Sequence, residues 1–432
     1  MTDIYEIAEY TLEALKKSGA DAAQCIVSKS KKDELNVDGG KFSLMRSTFN
    51  TSISMKAIKD GKKGVTSINQ ATKEAIDEAA AQCISAAQSS VPDEAEQIAP
   101  FTAKAEYKTG VFEPELDKLF DRIEEFMSQT AAEYPKVILE QLISDYEHSE
   151  KLYMNTNGTS LKYEHGEYSF NTMFSAHEGE KASSFNGYFC ALNSLDKPFM
   201  DAGMQRQLLA ESEKQLDTVS PSEKFVGRVI YSPDCFNELL QTALENFASS
   251  GVLIDGTSPW KDALNTKVAS EKLNLRSVPL DGRTVVGQRF TSDGYPVEDM
   301  DIIIDGVLKT FILSQYGANK TGFPRSLNSG NNLEVLPGDK ALEEMISGID
   351  RGLIVNRFSG GQPSSNGDFS GVAKNSFLIE NGKVVSAVSE TMISGNIIDM
   401  LNNIVAVSKE QTTDGLSFMP WAEFDGVTVS GK

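Results

Sequence analysis

The chain predicts an α+β fold: an amino-terminal α/β hairpin-containing region, an antiparallel meander, and then a β-rich carboxyl-terminal domain. Three observations carry this. Apolar residues recur at three- and four-residue steps in a few segments, such as Ile4, Ile7, Ala8, Thr11, Leu12 and Leu15, the spacing of one helical face. Other segments alternate in character between turn residues, from Ala23 to Ile68 and from Lys151 to Ala191. In the last half the same two-residue turn returns at Asp305-Gly306, Asn381-Gly382 and Asp425-Gly426.

Taken in order, the first helix is expected to end near Lys17, Ser18 and Gly19. Short strands are expected at 23–28, 34–37 and 41–47, with Gly39-Gly40 between the last two, then a hairpin of 50–58 and 64–68 turning at Asp60-Gly61. Ala75, Ile76, Ala79, Ala80, Cys83, Ile84 and Ala87 stripe a helix narrow enough to pack closely on a sheet. Residues 88–110 hold Pro92 and Pro100 with few large apolar groups, so a linker is expected there. Leu116, Leu119, Phe120, Ile123, Phe126 and Met127 form the next helical face, followed by a strand from 136 to 143, the meander, and a helix around 204–215. Boundaries near 95 and 220 therefore divide the chain into 1–95, 96–220 and 221–432.

From Arg228 to Ser249 a short strand, Val229 to Tyr231, feeds a helix opened by Ser232 as hydroxyl cap and Pro233 with its fixed φ. Phe236, Leu239, Leu240, Ala243, Leu244 and Phe247 give that helix a continuous apolar stripe. Gln241, Thr242, Glu245 and Asn246 lie off it, on a face where a hydrolase could carry metal ligands. They do not suit zinc, which takes imidazole, thiolate or carboxylate in clusters of three or four. Further on, Asp-Gly and Asn-Gly supply the positive-φ positions of tight hairpins. Two short helices follow Pro337-Gly338-Asp339 and Ser394-Gly395-Asn396, the latter read as a glycine turn capping a helix, with an amide nest for an anion as the alternative. Gly360-Gly361 and Gly367 lack the Gly-Lys-Ser/Thr ending of a phosphate-binding loop.

Length and composition narrow the function. With 432 residues, 40% hydrophobic and 24% charged, the chain can bury a sizeable core, and its net charge of −21 argues against nonspecific binding to nucleic acid or an anionic membrane. No basic segment and hydrophobic run of a signal peptide opens it, and no apolar stretch approaches the roughly 20 residues that span a bilayer, so a cytoplasmic location is expected. Cys25, Cys83, Cys190 and Cys235 are widely separated, without a Cys-x-x-Cys pair, and read as buried free thiols. His148, His165 and His177 would suffice in number for a metal, but their separations do not show that they meet, and His165 and His177 sit next to expected glycine turns.

The chain resembles the TldD/PmbA family, the modulator-of-gyrase group associated with metallopeptidases, and within it the PmbA/TldE branch. The resemblance runs from Gly19-Ala20-Asp21-Ala22-Ala23 through Asn155-Thr156-Asn157-Gly158. It is densest from Ile302-Ile303-Ile304-Asp305-Gly306-Val307-Leu308 through Asn332-Leu333, Pro337-Gly338-Asp339, Gly367-Asp368-Phe369-Ser370, Ile379-Glu380-Asn381-Gly382-Lys383 and Ile393-Ser394-Gly395-Asn396. In the TldD branch a His-Glu-x-x-x-His helix and a later cysteine build a peptidase metal site. Here Gln241-Thr242-Ala243-Leu244-Glu245-Asn246 stands in that place, with Thr242 where the glutamate base would be, and no cysteine follows Cys235. The resemblance therefore implies no catalytic, cofactor-binding or metal-binding residue in this chain. It implies instead a noncatalytic subunit, in a homodimer or beside a TldD-like metallopeptidase, enclosing a cavity that admits unfolded peptides. An independently active peptidase using other groups and a protein-binding regulator are the alternatives.

Overall fold

The computed structural model describes residues 1–221, 223–389 and 391–431. Two large sheets and their helices make an α+β architecture with an α/β amino-terminal region and a β-rich carboxyl-terminal part. Helix α1 (Ile4–Lys17) begins at Asp3, whose side chain accepts from Glu6 N at 2.9 Å, and buries Ile7, Ala8, Leu12 and Leu15. Strands β1 (Ala22–Asp38), β2 (Lys41–Lys59) and β3 (Lys62–Ile68) follow, then α2 (Lys73–Ser89), β4 (Lys104–Gly110), α3 (Leu116–Glu133), β5 (Val137–Asn155) and β6 (Ser160–Glu178). The first sheet runs β3-β2-β1-β5-β6-β4, with a further strand, Asn186–Leu192, also on β6. Because β1 pairs with β5, this sheet is continuous across residue 96.

The expected short strands fuse. Residues 23–28 and 34–37 belong to the single strand β1, and 41–47 and 50–58 to β2, each about 55 Å or more long at 3.3 Å per residue. The polar middle of β1 hides this continuity, since Lys31 and Lys32 are held by charge partners instead of an apolar core: Asp33 at 2.9 Å and Glu147 at 3.1 Å. Part of the expected linker is also strand. Residues 104–110 pair in parallel with 160–166, a seven-residue edge with alternating burial beyond Pro92 and Pro100.

Successive strand residues face opposite sides. On one side of the first sheet, Cys25 and Val27 pack against α1 and α2, while Leu35, Val37, Leu142, Tyr168 and Phe170 pack against α3. That second cluster continues into the other half through Ile230, Ile379 and Trp421. The opposite side faces the second sheet across Tyr153, Leu161 and Phe290. All four cysteines are buried free thiols.

Strand Phe418–Ser430 lies at the centre of the second sheet, pairing with Phe225–Tyr231, with Ile404–Thr413 and with Thr391–Asn396. Most pairings are antiparallel, but Phe225–Tyr231 runs parallel to Arg351–Val355. Asp305-Gly306 and Asn381-Gly382 form the expected hairpins, with φ of 50° and 74°, and 50° and 73°. Asp425-Gly426 does not: it lies inside Phe418–Ser430, where Gly426 with φ 80° sits beside the register shift against Gly227 and Val229, so the device makes a bulge instead of a turn. Ser394-Gly395-Asn396 is likewise strand, Gly395 pairing with Phe369, and Asn396 caps helix Ile397–Asn402 by accepting from Ile398 N at 2.9 Å. The glycine turn is absent there, and the Asn396 carboxamide occupies the place an anion would take. No helix among the described residues is long and apolar enough to cross a membrane.

Candidate functional site

Helix α4 (Gln205–Lys214) closes the first half, and strand Phe225–Tyr231 then leads directly into α5 (Pro233–Phe247). Ser232 ends the strand: its Oγ accepts from Cys235 N at 3.4 Å and donates to the carbonyl of Asn356 at 3.1 Å, while Pro233 fills the first helical position. The apolar stripe is buried as expected. Phe236 packs edge-on against Phe424 with centroids 5.8 Å apart, and Phe247 against Trp260 at 5.1 Å. This anchoring fixes the other side of α5, where Asn237, Gln241, Leu244 and Glu245 line a cavity of about 1000 Å³.

The α5 donor set does not fit zinc. Gln241 Nε2 donates to Asn237 Oδ1 at 3.4 Å, and the Thr242 hydroxyl donates to the Glu238 carbonyl at 2.8 Å, so the residue in the place of a general base is tied to its own helix. The carboxylates Asp234, Glu238 and Glu245 are strung over about 16 Å of helix at 1.5 Å per residue, too far apart to converge. Burial, then Asp414 and Glu238, push the Asp234 carboxyl up to about 6, and burial raises Glu238 as well. Burial also lifts the Cys235 thiol far above its ordinary value. Among the described residues no group of three or more His, Cys, Asp or Glu is placed to hold a metal ion.

The other wall of the cavity is the inner face of the first sheet. Cross-strand register puts Ser52, Ser28, Lys151 and Tyr163 in one row over β2, β1, β5 and β6, and Asn50, Ser30, Ser149 and His165 in the next. A third row holds Thr48, Lys32, Glu147 and Glu167. Residues 286–290, 329–333 and 414–417 complete the enclosure, with Asp414 accepting from Leu416 N at 2.8 Å and Ser417 N at 2.7 Å. In the third row Glu167 is pushed up to about 7, chiefly by burial and then by Glu147 and Asp145. His165 Nε2 lies 3.1 Å from Glu167 Oε2, while its Nδ1 meets the Thr109 hydroxyl at 2.8 Å. Burial lowers the pKa of this imidazole, so it is neutral near pH 7, where Glu167 is about half protonated.

The three histidines stay apart. His148 is opposite Gly166 and His165 opposite Ser149, so the two rings leave opposite faces of the sheet. His177 is 12 strand residues beyond His165, about 40 Å along β6, and its Nε2 meets Ser175 Oγ at 2.9 Å. The expectation of a glycine turn holds at His177, beside the Glu178-to-Lys181 hairpin, but His165 is buried in mid-strand because β4 covers it from the far side. Sequence spacing did not single out Lys151, Arg289 or Glu167. Alternation marks which strand residues share a face, whereas the row they make with other strands depends on register.

The α+β architecture of this chain is shared with two solved structures. These are TldE from Thermococcus kodakarensis, with a TM-score of 0.82 and 22% identity over 98% of this chain and 100% of that one, and a putative modulator of DNA gyrase from Bacteroides thetaiotaomicron, with 0.82 and 23% over 100% of each. Residues 224–431 match the family described as PmbA/TldA metallopeptidase C-terminal domain, and residues 23–87 match PmbA/TldA metallopeptidase domain 1. The chain belongs to the TldD/PmbA metallopeptidase family. It is 32% identical over 155 residues to the metalloprotease PmbA of Escherichia coli O157:H7, a match covering 35% of this chain and 34% of that relative, so the similar stretch spans about a third of the curated protein.

Proposed function

We propose that this chain is a noncatalytic, PmbA/TldE-like subunit of a TldD/PmbA-type metallopeptidase complex acting on unfolded peptides, and that its partner is a metal-bearing relative. The observation that carries the reading is α5 itself, which keeps the helix, its cap and its packing, lines the chamber with Asn237, Gln241, Leu244 and Glu245, and carries amides and a hydroxyl at Gln241, Thr242 and Asn246, where a hydrolytic helix needs imidazoles and a carboxylate. Such a wall can shape a chamber, orient a peptide and exclude water. It supplies neither a nucleophile-activating base nor a ligand set, and the bond-breaking centre belongs to the partner.

Assembly has a fitting surface. Strand β3 covers only 53–59 of β2, so residues 41–52 pair with β1 alone and leave an open edge. Along it Met45 and Phe49 are 78% and 73% exposed, while Arg46 is paired with Glu34 at 3.0 Å. An open apolar edge of this length is ready to pair with another chain.

Native copurification tests the proposal. A metal-bearing relative is expected to come down with this chain, the pure chain is expected to hold no stoichiometric transition metal, and only the complex should cleave an unfolded peptide. A chain that stays alone under gentle extraction, or that cleaves peptides by itself, overturns the reading.

A further inference from the structure

The strand wall of the cavity leaves two cations without counter-ions. Lys151 is half-buried and, among the described residues, has neither an ion pair nor a hydrogen bond; its Nζ lies 5.8 Å from the centre of the Phe290 ring. Burial lowers its pKa, and no neighbouring carboxylate offsets that. Arg289, on the loop that closes the chamber, uses Nη1 to donate to the carbonyls of Pro279 and Gln288 and stands 5.6 Å from the centre of the Tyr163 ring, again with no acidic partner among the described residues. Tyr163 is the direct cross-strand neighbour of Lys151, so both cations border the same place in the ladder.

Glu147, the wall carboxylate whose side chain faces the cavity, is already engaged by Lys32 at 3.1 Å, and the Glu150 side chain leaves the opposite face of the sheet, where it pairs with Lys162 at 2.7 Å. A partly desolvated ammonium and guanidinium with no anion are costly to keep, and a ligand that brings the anion relieves the cost. Arginine offers a planar fork that fits a carboxylate, lysine a point charge beside it, and the hydroxyls of Ser28 and Ser52 lie in the same row. The opposite wall holds Glu245 and Asp414, which oppose a dianion such as phosphate more strongly than a single negative charge.

We infer that Lys151 and Arg289 form a subsite for a carboxylate of a peptide held in this cavity. The inference rests on the reading of the cavity as a peptide chamber and adds the chemical feature it selects. The carboxylate is either the peptide's carboxyl terminus or an acidic side chain.

Fluorescence anisotropy with the purified full chain decides it, using a labelled unfolded peptide that carries one internal Glu and a free carboxyl terminus. Its amidated form and its Glu-to-Gln form are the comparisons. One of the two changes is expected to weaken binding about tenfold or more, the scale of a charge-assisted hydrogen bond, and which one does so identifies the source. In Lys151→Met and Arg289→Gln that difference should shrink to within about twofold while the peptide form lacking the recognised carboxylate binds as before, with a thermal melt reporting that each variant is folded. Equal binding of all three peptides, an equal loss with every peptide in the variants, or displacement by inorganic phosphate as effective as by acetate overturns the inference. No binding of any peptide overturns it too, and none of these results changes what copurification says about the partner.

Discussion

Helix α5 and the β1-β2-β5-β6 ladder border one cavity, yet they meet it in different ways. The helix is determined from behind: Phe236, Leu240, Ala243 and Phe247 are buried against the second sheet, and what remains on the chamber side is short, neutral or singly acidic. The ladder is determined along its length by pairing, which leaves its inner face free to carry a row of serines with Lys151, and a row of charges ending at Glu167. A helix wall keeps its place whatever its outer residues are, so it can hold the fold of a metallopeptidase with no ligand set. A strand wall can concentrate chemistry by register alone.

Breaking the helix wall should have the largest effect. Phe236 is fully buried, and Phe236→Ala removes its ring from Phe424 and leaves a cavity between α5 and the central strand. A loss of about 3–5 kcal/mol in urea unfolding is expected. A loss below about 1 kcal/mol would mean that the packing behind α5 does not hold this wall, and that the comparison with the ladder fails.

The strand wall is expected to respond to pH. Glu167 faces Glu147 and Lys32 in its row, with Asp145 and His165 close by, and its carboxyl stays protonated in the fold up to about 7 against 4.5 for an ordinary glutamate. Between those values the folded chain binds more protons than the unfolded one. Stability is therefore full below about pH 4.5, falls as pH rises, and levels off above about 7, by an amount on the order of 3 kcal/mol from this group. Glu167→Gln cannot ionise and should lose that slope. Parallel stability curves for the two proteins across this window, followed by chemical denaturation, would show that Glu167 is solvated and the row is not a buried one.

Much of the fold can be read from local chemistry, and the misses have a common cause. The stripe of α5 and its Ser232-Pro233 start are local signals, as are the Asp305-Gly306 and Asn381-Gly382 hairpins, and each lies where the residues place it. Asp425-Gly426 carries the same local signal, but the pairing of Phe418–Ser430 on both sides holds that stretch extended and turns the device into a bulge. The polar centre of β1 looks like a break because its partners, Asp33 and Glu147, are found only when neighbouring residues and β5 are brought beside it. The site divides in the same way. That Gln241, Thr242 and Asn246 are amides and a hydroxyl can be read directly, whereas placing Lys151 and Arg289 on one cavity requires a register and a loop 138 residues away in sequence.

The smallest effect concerns how α5 begins. Ser232 is buried and makes two hydrogen bonds, accepting from Cys235 N and donating to the Asn356 carbonyl, so Ser232→Ala takes this partner from one helix amide and from the carbonyl that follows the strand Arg351–Val355. About 1–2 kcal/mol should be lost, at the upper end of the range for an N-cap. Pro233→Ala restores an amide that no helix bond requires and frees φ in the unfolded chain, which should cost no more than about 1 kcal/mol. Hydrogen exchange separates the two. The Cys235 amide should exchange faster in Ser232→Ala and stay protected in Pro233→Ala. If the order is reversed, the fixed φ of Pro233 starts the helix, and the Ser232 hydroxyl serves to join α5 to the strand Arg351–Val355 through the Asn356 carbonyl.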